Sequence, residues 1–161
     1  MFGGYTETNP PIKIMEDTNM KFEKIGTEMF DELKSLQKDY KMAIEEDAPS
    51  EMELESLRKA IEKGHIHFYG CIFDESLVAC CSICVTYSTF KYDKSGVFED
   101  FYIKPEYRHN GIARRLVSYA FEQCEVSSLT VGCADYDVEM YQAIGFQIPL
   151  GNMLAYGGET C

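Results

Sequence analysis

The sequence predicts a single domain of mixed α/β class, and three observations carry that expectation. The chain has 161 residues, the size of one ordinary domain that buries a core without metal or disulfide staples. Apolar residues recur at steps of two in some segments and of three to four in others, in the order β-α-α-β-β-β-α-β-α-β. One strand, helix and strand crossover falls near the middle.

Residues 1–19, with Gly3-Gly4 and Pro10-Pro11, read as a flexible N-terminal arm, leaving 20–161 as the folded domain. Met20 to Ile25 alternates apolar and polar residues, as a half-buried strand does. Thr27 is placed to cap a helix whose apolar face is Met29, Leu33, Leu36, Tyr40 and Ile44. Ser50 and Glu53 have the spacing of a capping box, and Leu54, Leu57 and Ile61 make the stripe of a second helix ending near Gly64. His65 to Phe73 and Leu77 to Tyr87 flank the turn-like Asp74-Glu75-Ser76 and predict an antiparallel hairpin. His65 and His67 read as ordinary strand residues.

After a turn over Lys91 to Gly96, the run Val97-Phe98-Glu99-Asp100-Phe101-Tyr102-Ile103 predicts a strand with two carboxylates in its middle, where β propensity would not put them. Pro105 ends it. A helix follows Gly111 with Ile112, Leu116, Ala120 and Cys124 on one side, then a short strand over Ser128 to Val131. Asp135 is placed to cap a helix around Val138 to Ala143, Gly145 ends that helix, and Phe146 to Tyr156 predicts further β structure.

Bulk properties narrow the function. An apolar fraction of 45% and a charged fraction of 26% exclude collagen-like, disordered and membrane classes. No apolar run approaches the ~20 residues of a membrane span. The N-terminal residues lack the basic start and apolar stretch of a secretory signal, so a cytoplasmic location is expected. With 15 Lys plus Arg against 27 Asp plus Glu, the net charge of −12 argues against nucleic acid and anionic membrane as partners. The seven cysteines read as reduced thiols. The C-x-x-C of Cys81 and Cys84 lies in an apolar run with no second pair, so no metal is expected.

The segment from Ile103 into the helix after Gly111 is the most informative. A helix N-terminus offers free N–H groups and a positive dipole end, which together bind phosphate. Gly111 lets backbone approach an anion closely, and Ala113 keeps the next turn small. Arg108, Arg114 and Arg115 reverse the local charge in an acidic chain. Neither G-x-x-x-x-G-K-[ST] nor G-x-G-x-x-G occurs, which disfavours an ATPase or a nicotinamide enzyme.

Arg108-x-x-Gly111-x-Ala113 resembles the Q/R-x-x-G-x-G/A motif of the GNAT N-acetyltransferase superfamily. Phe101 to Arg108 resembles the strand that precedes that motif, and Met140-Tyr141-Gln142-Ala143-Ile144-Gly145-Phe146 resembles the family's F-Y-x-x-x-G-F segment. The Glu-Asp pair in the strand is similar to that of diamine and polyamine acetyltransferases within the family. The resemblance covers Val97 to Phe146 closely and Met20 to Tyr87 in element order. It implies a central, mostly antiparallel twisted sheet of roughly six to seven strands with about four flanking helices.

The resemblance further implies acetyl-CoA as cofactor, with its pantetheine amides on the strand backbone at Phe101 and Ile103 and with Tyr102 between them among the cofactor-binding residues. The pyrophosphate would lie on the N–H groups of His109, Asn110, Gly111, Ile112, Ala113 and Arg114, beside Arg108. Because main-chain groups would do the binding, the side chains of His109, Asn110 and Ile112 are expected to be replaceable. Where family members often carry Asn, seven residues before the tyrosine, this chain has Ala134, so one side-chain contact to the pantetheine arm would be missing.

Acetyl transfer to an amine needs a neutral amine, a stabilised oxyanion and a proton for the departing thiolate. The resemblance gives Glu99 the amine proton and Tyr141 the general-acid role at the sulfur, with direct attack in a ternary complex. A carboxylate in a central strand is costly to bury without a partner, so Glu99 either functions or pairs with a cation. Strand alternation sends Asp100 to the opposite face, as a structural or substrate-contacting residue. The expected acceptor is a primary amine of a small cationic molecule. Acetylation of peptides and a non-catalytic acyl-CoA-binding module are the alternatives, and the resemblance leaves a homodimer open.

Overall fold

The computed structural model describes residues 10–16, 19–151 and 153. Strand β1 (Met20–Ile25) leads through one turn of 3-10 helix into α1 (Phe30–Ala43), and α2 (Glu51–Glu62) follows. Three strands come next, β2 (His67–Phe73), β3 (Ser76–Ser88) and β4 (Asp93–Ile103), then α3 (Ile112–Cys124), β5 (Leu129–Val131) and α4 (Val138–Ile144). The strands stand in one sheet in sequence order. β1 through β4 pair antiparallel, and β5 joins β4 in parallel.

Sequence signals explain most boundaries. The capping box is complete: Glu53 N–H donates to Ser50 Oγ, and Ser50 N–H donates to the Glu53 carboxylate at 2.7 Å. The tight turn of the β2-β3 hairpin takes Asp74 and Glu75 through positive φ. The β3-β4 hairpin is longer than expected, because Ser88 pairs with Asp93 and the predicted turn residues from Asp93 onward join the ladder.

Two predicted caps are not made. Thr27 lies inside the 3-10 turn and α1 begins after Met29, while Asp135 begins a 3-10 turn and α4 begins after Asp137; neither helix has a side-chain cap. A turn of 3-10 helix already closes the first N–H groups, leaving the candidate cap residues upstream.

The sheet has five strands among the described residues, against the six to seven expected. The difference lies after Gly145. Residues 146–151 have no regular structure, Gln147 to Leu150 are exposed, and Pro149 lacks the N–H a ladder requires. The rest of that predicted β segment, apart from Met153, lies outside the described residues.

Both faces of the sheet are covered, which makes three layers. On one face Phe30, Leu33 and Leu36 of α1 pack against Ile25, Phe68, Cys80 and Tyr102. On the other, Ile112, Leu116 and Ala120 of α3 pack against Tyr69, Cys71, Cys81, Ile83 and Phe98. The alternation of β3 sends Cys80 to the α1 face and Cys81 to the α3 face. Cys81 and Cys84, three residues apart, therefore face opposite ways and cannot share a ligand.

The described part of the N-terminal segment touches the α3 side of the domain. Lys13 N–H donates to Glu106 O at 2.7 Å, and Met15 is 9% exposed within the α3-side core.

Candidate functional site

A wedge opens where β4 and β5 part. Their parallel pairing runs only from Gly96 opposite Leu129 to Phe98 opposite Val131, while β4 continues to Ile103. Gly96 permits the close approach at the wedge's base, because a Cβ there would lie 2.6 Å from Leu129 Cδ2 and 2.8 Å from Ile83 Cγ2. Beyond Phe98 the outer edge of β4 has no partner strand among the described residues. Lys104 N–H donates to Val78 O on β3, so by alternation Tyr102 also turns its backbone toward β3. Phe101 and Ile103 turn theirs outward, and Ile103 O accepts from Arg108 Nε at 3.1 Å. Tyr102 thus departs from the expectation: its ring lies on the α1 face, 6.1 Å from that of Tyr40.

Past Pro105–Tyr107, the chain reaches α3 through two left-handed residues, His109 at φ 63° and Gly111 at φ 72°. Gly111 is the N-cap of α3, no side chain caps that helix, and its first turn holds no acidic residue. A Cβ on Gly111 would meet nothing within 4 Å. An open, uncapped, acid-free helix N-terminus fits an anionic group such as a pyrophosphate.

The side chains around this loop are not interchangeable. Ile112 is 1% exposed in the core. Asn110 Nδ2 donates to the carbonyls of Lys13, Tyr107 and Arg108, and its Oδ1 accepts from Met15 N–H. Asn110 and Ile112 therefore carry hydrogen bonds and packing of their own, whereas the His109 side chain is exposed. Arg108 is held on Ile103 O, Arg114 donates to Ala143 O at 2.7 Å, and Arg115 lies over the Phe22 ring. Ala113 is half-buried at the first turn.

A β-bulge sits on the carboxylate pair. Cys81 pairs with Phe101 and Ser82 with Glu99, so Asp100 has no opposite residue on β3. The bulge cancels the alternation expected from sequence. Glu99 opposes Ser82 on the α1 face, and Asp100 also turns that way, where its charge acts on Tyr40, Lys41 and Cys80. Burial raises the Asp100 carboxyl, neighbouring Glu99 raises it further, and Lys41 opposes both. Glu99 is exposed. Lys41 is itself engaged by Glu46.

Tyr141, on α4, packs on the α3 side of the sheet at the mouth of the wedge. Its ring stands edge-on to Phe146 at 5.9 Å and to Phe98 at 6.5 Å between centroids. Burial pushes its phenol up to about 12, and the electrostatic influence of Tyr40, Asp137, Cys133 and Asp100 adds to the shift. Asp100 thus lies within electrostatic reach of Tyr40 on α1 and, more weakly, of Tyr141 on α4. Tyr40 was legible only as part of an apolar stripe; its hydroxyl at the C-terminal end of that stripe was the available signal.

A parallel pair that opens beside an anion-ready helix N-terminus is a seat for a ligand that carries a phosphate group. The family model described as acetyltransferase (GNAT) domain matches residues 64–148, more than half of the chain, and the chain belongs to that family. It is a GNAT-type N-acetyltransferase, and its cofactor is acetyl-CoA. Similar folds include an aminoglycoside acetyltransferase from an uncultured soil metagenomic sample in complex with sisomicin, 13% identical, with TM-score 0.76, covering 89% of this chain and 99% of that one. A predicted acetyltransferase with acetyl-CoA from Clostridium acetobutylicum is 16% identical with TM-score 0.68, covering 85% and 96%. A ribosomal-protein-alanine N-acetyltransferase from Brucella melitensis is 15% identical with TM-score 0.70, covering 86% and 99%. No curated protein matches the sequence. Among the described residues, no helix is long and apolar enough to cross a membrane, and no cluster of His, Cys, Asp and Glu could hold a metal.

Proposed function

We propose that this protein acetylates the primary amine of a small cationic molecule of diamine or polyamine type, by direct attack in a ternary complex. The observation that carries the reading is the bulge at Asp100, which turns two adjacent carboxylates to one face, within electrostatic reach of Tyr40 and Tyr141. An ammonium ion entering there would meet negative charge and aromatic ring together.

Acetyl-CoA supplies an activated acyl thioester. On the protein side, the N–H groups of His109 to Arg114 hold the pyrophosphate, and the outward backbone of Phe101 and Ile103 pairs with the pantetheine amides. Asp100, raised by burial, is the carboxylate better matched to removing an amine proton near neutral pH. Exposed Glu99 binds the cationic substrate and shares the proton through water. Tyr141 holds its proton at Oη up to high pH and donates it to the departing sulfur. Titrating CoA release with small diamines against N-terminal peptides tests the reading: diamines should be turned over and peptides not, and the reverse preference would move the acceptor to a protein.

A further inference from the structure

The arm segment and the loop before α3 are joined through one side chain. Asn110 lies between the two left-handed residues His109 and Gly111. The two Nδ2 hydrogens are shared among three carbonyls, Lys13 O at 2.9 Å, Tyr107 O at 3.0 Å and Arg108 O at 3.1 Å, while Oδ1 accepts from Met15 N–H at 3.1 Å. Around this knot Lys13 N–H donates to Glu106 O, and Lys13 Nζ bonds Tyr107 Oη at 3.2 Å while lying 4.9 Å from the Tyr107 ring centroid. Met15 anchors the segment in the core.

Left-handed backbone at a non-glycine residue such as His109 is unfavourable, and it persists only where surrounding bonds hold it. Here the holding bonds come from Asn110 to its own turn and to a strap 95 to 97 residues earlier in the chain. We infer that Asn110 is a positioning residue: with the Lys13 to Met15 strap, it sets the loop of His109 to Arg114 in its phosphate-binding shape before acetyl-CoA arrives. The inference rests on the proposed seat of the pyrophosphate. Preorganisation of this kind raises affinity by removing the ordering cost from the binding step. Only the part of the ligand that lies on the loop benefits.

Calorimetric titration with CoA and with pantetheine, which lacks the pyrophosphate, separates this from a merely structural role. Asn110→Ala should weaken CoA binding roughly tenfold, as expected when several hydrogen bonds are lost, and leave pantetheine within about twofold. Steady-state kinetics should show a raised KM for acetyl-CoA with kcat little changed. Unaltered CoA affinity in folded Asn110→Ala, or equal losses for both ligands, overturns the inference. If Asn110→Ala does not fold, reciprocity provides the test in the unmodified protein: saturating CoA, and not pantetheine, should slow tryptic cleavage after Lys13. A cleavage rate indifferent to CoA overturns it. Gly111→Val distinguishes the two layers. If it leaves the preference for CoA over pantetheine intact, the seat itself is wrong; if it abolishes that preference while Asn110→Ala does not, the strap alone is wrong.

Discussion

Tyr141 stands edge-on to Phe98, their ring centroids 6.5 Å apart at 84°, and Phe98 is the last residue at which β4 and β5 are paired. The phenol is thereby fixed at the point of the wedge by a ring contact that does not involve its hydroxyl.

Tyr141→Phe keeps that contact and removes only the proton donor. Affinity for CoA should stay within about twofold, and kcat should fall by about 100-fold or more, the range of a lost general acid. Calorimetry and single-turnover rates on the same preparation check both.

Asp100 gives a paired prediction on stability and activity. Burial raises its native pKa above the unfolded value, so the native state binds the proton more tightly, and stability falls as pH rises through that window. Asp100→Asn removes the penalty: its thermal midpoint should exceed that of wild type at pH 7 and approach it near pH 3. Turnover of a diamine should fall in the same variant. A lower midpoint at pH 7 would contradict the buried-charge reading.

Ser50→Ala breaks the capping box of α2 without touching the wedge. It should cost about 1 kcal/mol in urea unfolding and leave CoA affinity unchanged.

Gly96→Ala drives a methyl against Leu129 and the fully buried Ile83. The expected destabilisation is about 1–3 kcal/mol, because overpacking at the sheet forces strands apart. Guanidinium unfolding measures it.

What the sequence made legible follows the range of the forces involved. The Ser50 and Glu53 box is three residues wide, and the run from Ile103 through Gly111 into α3 is a local strand, loop and helix pattern, so both could be read directly. The bulge at Asp100 could not be, because it exists only relative to the register of β3, which no residue of β4 announces. The hydrogen bonds of the Asn110 side chain were hidden for a similar reason: two of its four partners, Lys13 and Met15, lie far away in sequence. Residues 146–151, expected to be β, show the opposite error, propensity without a partner strand among the described residues. Tyr40 entered the site only once α1 was laid over the bulge.

The central claim is that the carboxylates at the bulge select a cationic amine. The most direct measurement is kcat/KM for a diamine against a monoamine of the same length, in wild type and in a Glu99→Gln, Asp100→Asn double variant. The account predicts a clear preference for the diamine in wild type that collapses toward unity in the variant. Equal use of both amines by wild type, or a preference that survives the double substitution, would contradict it.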